Sequence, residues 1–161
     1  MKVFKETQQF TQWWLWALNL GILLIPIYGI VRQVFLKKSF GDNPMPDIGL
    51  FVFLFFMILF NYFFLILKLE TTIDEKGIHY RFYPLKPTLK TTDWNTINKV
   101  YIRKYNPVLE YGGWGIKRGA RNVKGNIGLQ LELKNGKKLL IGTQKKEEME
   151  RVLKTYKIKI E

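Results

Sequence analysis

Lys117, Arg118, Arg121 and Lys124 place four cations within eight residues, directly after the stretch Tyr111-Gly112-Gly113-Trp114-Gly115. Cations at that density suit anions: phosphate groups, lipid headgroups or acidic protein surfaces. The residues ahead of them read as a structural loop. Glycine loses the most backbone freedom on folding, so it is retained where the chain must bend. Tyr111 and Trp114 are expected to anchor the loop in the core while the glycines permit bends and close backbone approach, leaving the cations to face outward. The spacing G-G-W-G-I-K-R-G is superficially like a dinucleotide fingerprint, but no strand-helix-strand unit follows it.

Other chemistry has little material. The chain has no cysteine, which removes disulfides, thiol catalysis and cysteine-based zinc sites. His79 is the single histidine, has no neighbouring metal-ligand pattern, and reads as a surface or satisfied side chain in a strand. The carboxylates are scattered, with no pair spaced for general acid and base roles. No phosphate-cradling Gly-x-x-x-x-Gly-Lys loop is present. The expectation is a non-enzyme without catalytic, metal or cofactor-binding residues.

The elements that must position the cations begin with two uncharged runs. One covers 25 residues from Thr7 to Val31, the other 20 residues from Ile48 to Leu67. A bilayer core about 30 Å thick needs about 20 apolar residues of helix. The spacing predicts transmembrane helices near 11–35 and 48–68. Trp13, Trp14 and Trp16 suit the interface of the first, Pro26 should kink it, and Asn19 and Asn61 are expected to hydrogen-bond across to the partner helix. The span is too long, and lacks a small-residue cleavage site, for a signal peptide. Residues 37–47, K-K-S-F-G-D-N-P-M-P-D, form a turn-rich connector, so the helices make a hairpin. Arg32, Lys37 and Lys38 near the connector, against Lys2, Lys5, Lys68, Lys76, Arg81 and Lys86 on the other side, orient both chain ends to the cytoplasm.

From residue 69 the pattern alternates. E-T-T-I-D-E-K-G-I-H-Y-R-F-Y predicts two strands turning at 75–77, T-L-K-T-T-D-W a third, and N-K-V-Y-I-R-K-Y a fourth. The clearest hairpin is I-G-L-Q-L-E-L-K-N-G-K-K-L-L-I-G-T. A left-handed Gly136 sets Leu131 opposite Leu139 and Leu129 opposite Ile141, gathering the apolar residues on one face. A closing helix near 145–157 carries Met149, Val152, Leu153 and Tyr156 as a stripe, with Thr143 as its expected cap. The domains are therefore a hairpin over 1–68 and a basic β domain over 69–161.

Strands followed by one amphipathic helix are the pattern of pleckstrin-homology-like domains. The stretches D-E-K-G-I-H-Y-R-F (74–82), D-W-N-T-I-N-K-V (93–100), Y-N-P-V-L-E-Y-G-G-W-G-I-K (105–117) and G-L-Q-L-E-L-K-N-G-K-K-L-L-I-G-T-Q (128–144) add to it. Through them the chain resembles a group of small bacterial membrane proteins that pair a two-helix hairpin with a bacterial PH-like domain. The Trp94-x-x-Ile97 step recurs in such domains. The resemblance implies an α+β membrane protein of the bacterial inner membrane, multi-pass, with a PH-like antiparallel β-barrel or sandwich closed by a C-terminal helix. It supplies architecture and little mechanism.

Three functions stay open: a membrane-surface adaptor whose cytoplasmic domain meets anionic lipid; an accessory subunit acting through a membrane protein partner; and a small transporter or channel component. The spans hold no ionisable residue, which weighs against the third. The 21 Lys and Arg against 10 Asp and Glu from residue 68 onward give that part +11. Attachment at a membrane surface explains this charge with fewer assumptions than nucleic acid, which is not expected as a partner.

Overall fold

The computed structural model describes residues 3–156. The chain divides into two compact units. One is the pair of apolar helices, residues 11–65. The other takes the described residues up to Phe10 together with those from Ile66 onward.

In the helical unit, α1 spans Trp13–Ile30 and α2 spans Asp47–Ile66. Both are long and apolar enough to cross a membrane. Helix α1 runs through Pro26 and then widens into one π-helical turn at Val31–Phe35, closed by Leu36 N–H donating to the Val31 carbonyl at 3.0 Å. Gly29 lets the chain pack closely here: an added Cβ would lie 3.0 Å from the Phe40 ring and 3.1 Å from the Leu50 side chain. Gln33 Nε2 ties the end of α1 to the start of α2, donating to the Met45 carbonyl at 2.8 Å and to Asp47 Oδ1 at 2.6 Å. Asn61 differs from expectation. It donates to the Met57 carbonyl at 2.8 Å, one turn back in its own helix, rather than across to α1. A helical carbonyl four residues earlier is always within a short side chain's reach.

The second unit is α+β. Its strands are β1 (Phe4–Gln9), β2 (Lys68–Ile73), β3 (Gly77–Tyr83), β4 (Lys86–Asp93), β5 (Ile97–Lys104), β6 (Gly115–Lys117), β7 (Ala120–Asn122), β8 (Ile127–Leu133) and β9 (Lys138–Gly142). Its helices are α3 (Pro107–Tyr111) and α4 (Lys146–Thr155). One sheet has the order β1-β2-β3-β4, the other β5-β8-β9-β7-β6. Neither closes, so the expected β-barrel is corrected to two open sheets. The physical reason is that β4 and β5 are separated by a 3₁₀ turn, Trp94–Thr96, and among the described residues no ladder joins an edge of one sheet to an edge of the other. The expectation of purely antiparallel pairing is corrected as well. β7 runs parallel to β9, with Ala120 opposite Leu140 and Arg121 opposite Ile141.

Strand β1 was not anticipated. It precedes both apolar helices, yet pairs with β2 from Phe4↔Ile73 to Gln9↔Lys68. Residues 4–9 therefore group with the sheets and not with the helical hairpin expected over 1–68. The inward face of β1 is Phe4, Glu6 and Gln8. Only one of the three is apolar, so the strand carries no alternating hydrophobic signal. Glu6 is held against the second sheet: Oε2 accepts from Thr143 Oγ1 and Oε1 from Gln144 N–H, each at 2.7 Å. Gln8 Nε2 donates to the Gly142 carbonyl at 2.6 Å.

The β8–β9 hairpin has the expected register, Leu131↔Leu139 and Leu129↔Ile141, with Gly136 left-handed at φ 79°. Helix α4 buries Met149, Val152 and Leu153, while Tyr156 just beyond it is half-buried and stacks on Trp94 with ring centres 5.7 Å apart. Residue 157, the expected end of this helix, lies outside the described residues. Thr143 does not cap α4. Its hydroxyl is taken by Glu6 and accepts from Lys145 N–H at 3.0 Å, and Lys145 holds the cap position without a side-chain bond.

Candidate functional site

The glycine-rich stretch folds into a knob on the second sheet. Asn106 starts it: Oδ1 accepts from Val108 N–H and Leu109 N–H, both at 3.0 Å. Pro107 occupies the first helical position, where its missing N–H costs nothing. Glu110 Oε1 reaches back to accept from Asn106 N–H at 2.7 Å, completing a reciprocal cap. Gly112, at φ 67°, ends α3, and the N–H groups of Gly112 and Gly113 donate to Val108 and Pro107 carbonyls at 2.8 Å.

The role of the glycines is now specific. Gly112, Gly113 and Gly115 have φ of 67°, 111° and 118°. A Cβ on any of them would meet nothing within 4 Å. The requirement is left-handed backbone, not close approach. Trp114 fixes the bend by donating its Nε1–H to the Gly125 carbonyl at 3.0 Å, and Gly115 N–H donates to Asn122 Oδ1 at 2.9 Å. Both Tyr111 and Trp114 are half-buried rather than in the deep core. Tyr111 packs on the cluster of Tyr105, Ala120 and Leu140, edge-on to Tyr105 with ring centres 5.9 Å apart.

Arg103, on β5, bolts the knob down. Its guanidinium donates to Glu110 Oε2 at 2.7 Å, to the Tyr111 hydroxyl at 3.1 Å and to Gln130 Oε1 at 3.1 Å. The Arg103 partner holds the Glu110 carboxyl below the ordinary glutamate range, with the Asn106 N–H adding to the effect. Sequence reading missed Arg103, because its role depends on β5 passing beneath α3.

The four expected cations are not equivalent. Lys117 Nζ donates to the Gly112 carbonyl at 3.2 Å, which brings its charge to the end of α3. Arg118 is exposed in the turn between β6 and β7. Arg121 turns to the backbone, its Nη1 donating to the Lys117 and Ala120 carbonyls at 2.6 Å. Lys124 is half-buried in the following loop, where its carbonyl accepts from Gln144 Nε2 at 2.7 Å. Beside the knob lies an open hollow of about 790 Å³, whose walls include Lys104, Tyr105, Val108, Glu110, Trp114 and Asn126. It is a surface depression with one carboxylate in its wall, not an enclosed anion pocket. The arrangement can offer charge to a broad anionic surface.

On the first sheet, His79 has two partners within that sheet and its turn. Nδ1 lies 2.9 Å from Thr91 Oγ1 and Nε2 2.9 Å from Asp74 Oδ1. The His79 contact, ahead of the Lys76 and Gly77 N–H groups, draws the Asp74 carboxyl below its usual range. Asp74 is thereby committed to ordering the β2–β3 turn. Among the described residues no three His, Asp or Glu side chains come together as a metal-binding set.

The fold and these contacts define a class of chain: two helices apolar enough to cross a membrane, joined to a two-sheet α+β unit with a capped, cation-flanked knob. The chain belongs to the family of unknown function DUF6141, which matches residues 2–157. The curated proteins contain no match to it.

Proposed function

We propose that this chain is an integral membrane protein of the bacterial inner membrane, whose cytoplasmic PH-like unit serves as an adaptor or binding module at the membrane surface. The observation that carries this reading is the exposure of α1 and α2. Phe55 is 62% exposed, and Leu18, Leu24, Phe56, Ile58 and Leu65 are exposed with it. Leaving such side chains in water forgoes about 1.5–3 kcal/mol for each, and a bilayer removes that cost.

The strand order supports the PH-like reading. A four-stranded meander, β1 to β4, is followed by β5, β8 and β9 and then by α4. In this layout the two helices are an insertion between adjacent strands β1 and β2, and the knob with β6 and β7 is an insertion between β5 and β8. Residues 10–12 lead from β1 to α1, and residue 67 alone leads from α2 to β2. Connections so short tether the sheets to any bilayer that holds the helices. A net +11 there would be drawn to anionic lipid, at about 1 kcal/mol per cation near the surface.

A second reading, an accessory subunit acting through protein contacts, draws on β4. Seven of the eight residues of this edge strand are exposed, the eighth is half-buried, and an open edge accepts an added strand.

Alkaline carbonate washing of membranes from cells making the full chain tests the membrane reading. The chain should stay in the pellet. Release into the supernatant would contradict an integral protein.

A further inference from the structure

We propose that α3 is a wedge that enters the headgroup–acyl boundary of an anionic lipid surface, led by Leu109 and Val108. The inference rests on the membrane reading above and adds to it a specific apolar contact.

Leu109 is 84% exposed and Val108 58% exposed. Single exposed apolar residues are ordinary on protein surfaces. This pair is different because its presentation is fixed. The Asn106 and Glu110 side chains close one end of α3, Gly112 closes the other, and Arg103 holds Glu110 and Tyr111 from beneath. A chain free to turn these side chains inward is instead locked with them outward.

The same caps prepare the tip for a medium without water. Unpaired backbone groups are what exclude loops from lipid. Here the N–H groups of Val108 and Leu109 are taken by Asn106, and those of Gly112 and Gly113 by carbonyls of α3. The Glu110 charge is matched by Arg103 at 2.7 Å. Lys117 sits at the end of α3 on the Gly112 carbonyl, Arg118 is exposed in the next turn, and Lys104 lies at the base of the knob. An apolar tip with cations beside it is complementary to a surface with anionic headgroups outside and hydrocarbon below. A protein partner would require a matching apolar socket, and the neighbouring cations would then need acidic groups on that partner.

The chain has no cysteine, so single labels are clean. The full chain, with a nitroxide on Leu109→Cys, Thr88→Cys or Phe55→Cys, is reconstituted in nanodiscs of phosphatidylglycerol and phosphatidylcholine. Collision with oxygen and with a water-soluble nickel chelate is then read by electron paramagnetic resonance. The expected result is strong oxygen and weak nickel contact at 109, with nickel contact several-fold greater at 88. Nickel contact at 109 equal to that at 88 would overturn the wedge. Shielding of 109 from both reagents would also overturn it, since a protein surface and not lipid would then cover the tip. Lipid contact at 55 with water at 109 refutes the wedge alone, whereas water at 55 refutes the membrane reading and the wedge together.

Discussion

Arg103 and Glu6 each hold separate parts of the fold through a single charged group, and each makes a prediction. Arg103 donates to Glu110, Tyr111 and Gln130, so Arg103→Ala leaves a cap and a half-buried hydroxyl short of a partner. We expect a loss of about 1–3 kcal/mol, concentrated in α3 and visible as faster amide exchange over residues 106–113 than elsewhere. Glu6 predicts a pH dependence. Burial raises its carboxyl above the ordinary glutamate value, against the opposing hydrogen bonds from Thr143 and Gln144. The folded chain therefore keeps this proton at pH values where the unfolded chain has released it, and stability falls as pH rises through that window. Denaturation at a series of pH values should show wild type losing stability, relative to Glu6→Gln, just above the ordinary glutamate range. Parallel curves would contradict the assignment. Neither residue was legible in the sequence. The Glu6 partner Thr143 lies 137 positions away along the chain, and Arg103 joins Glu110 and Tyr111, 7 and 8 positions on, to Gln130, 27 positions on, so no local periodicity marks either residue.

At the scale of elements, periodicity succeeded where one face was apolar. Leu129, Leu131 and Ile141 are fully buried, and shifting the hairpin by one residue would have turned them to solvent. The stripe Met149, Val152 and Leu153 likewise follows from helical spacing. Met149→Asp or Leu153→Asp should cost about 3–5 kcal/mol, because the new carboxylate has no partner in the core. An unchanged thermal midpoint for either would refute the packing of α4. Strand β1 lacks such a face: its inward Glu6 and Gln8 are polar because they bond to the second sheet. A consequence is that a fragment beginning at residue 70 lacks the strand that pairs with β2, so measurements belong on the full chain. The glycine-rich stretch was partly legible. Its bends were expected, but the five-residue helix α3 that leads into it was not, since a helix of little more than one turn is too short to show a periodic apolar stripe.

For the whole molecule, composition was the strongest guide. Two uncharged runs and a basic remainder separate into the two units that the contacts define, with residues 3–10 as the exception. Closure was not legible, because alternation reports which face is buried and not which edges meet. The central claim is that the two helices cross the membrane and leave the sheets on the cytoplasmic side, as the cations flanking the spans suggest. The most direct measurement uses the absence of cysteine. Ser39→Cys marks the connector between the helices, and Thr155→Cys marks the end of α4; both positions are exposed. A membrane-impermeant maleimide is added to spheroplasts, then to lysed cells. The account predicts that Cys at position 39 is labelled in intact spheroplasts while Cys at position 155 is labelled only after lysis. Labelling of position 155 in intact spheroplasts, or of both positions only after lysis, would contradict it.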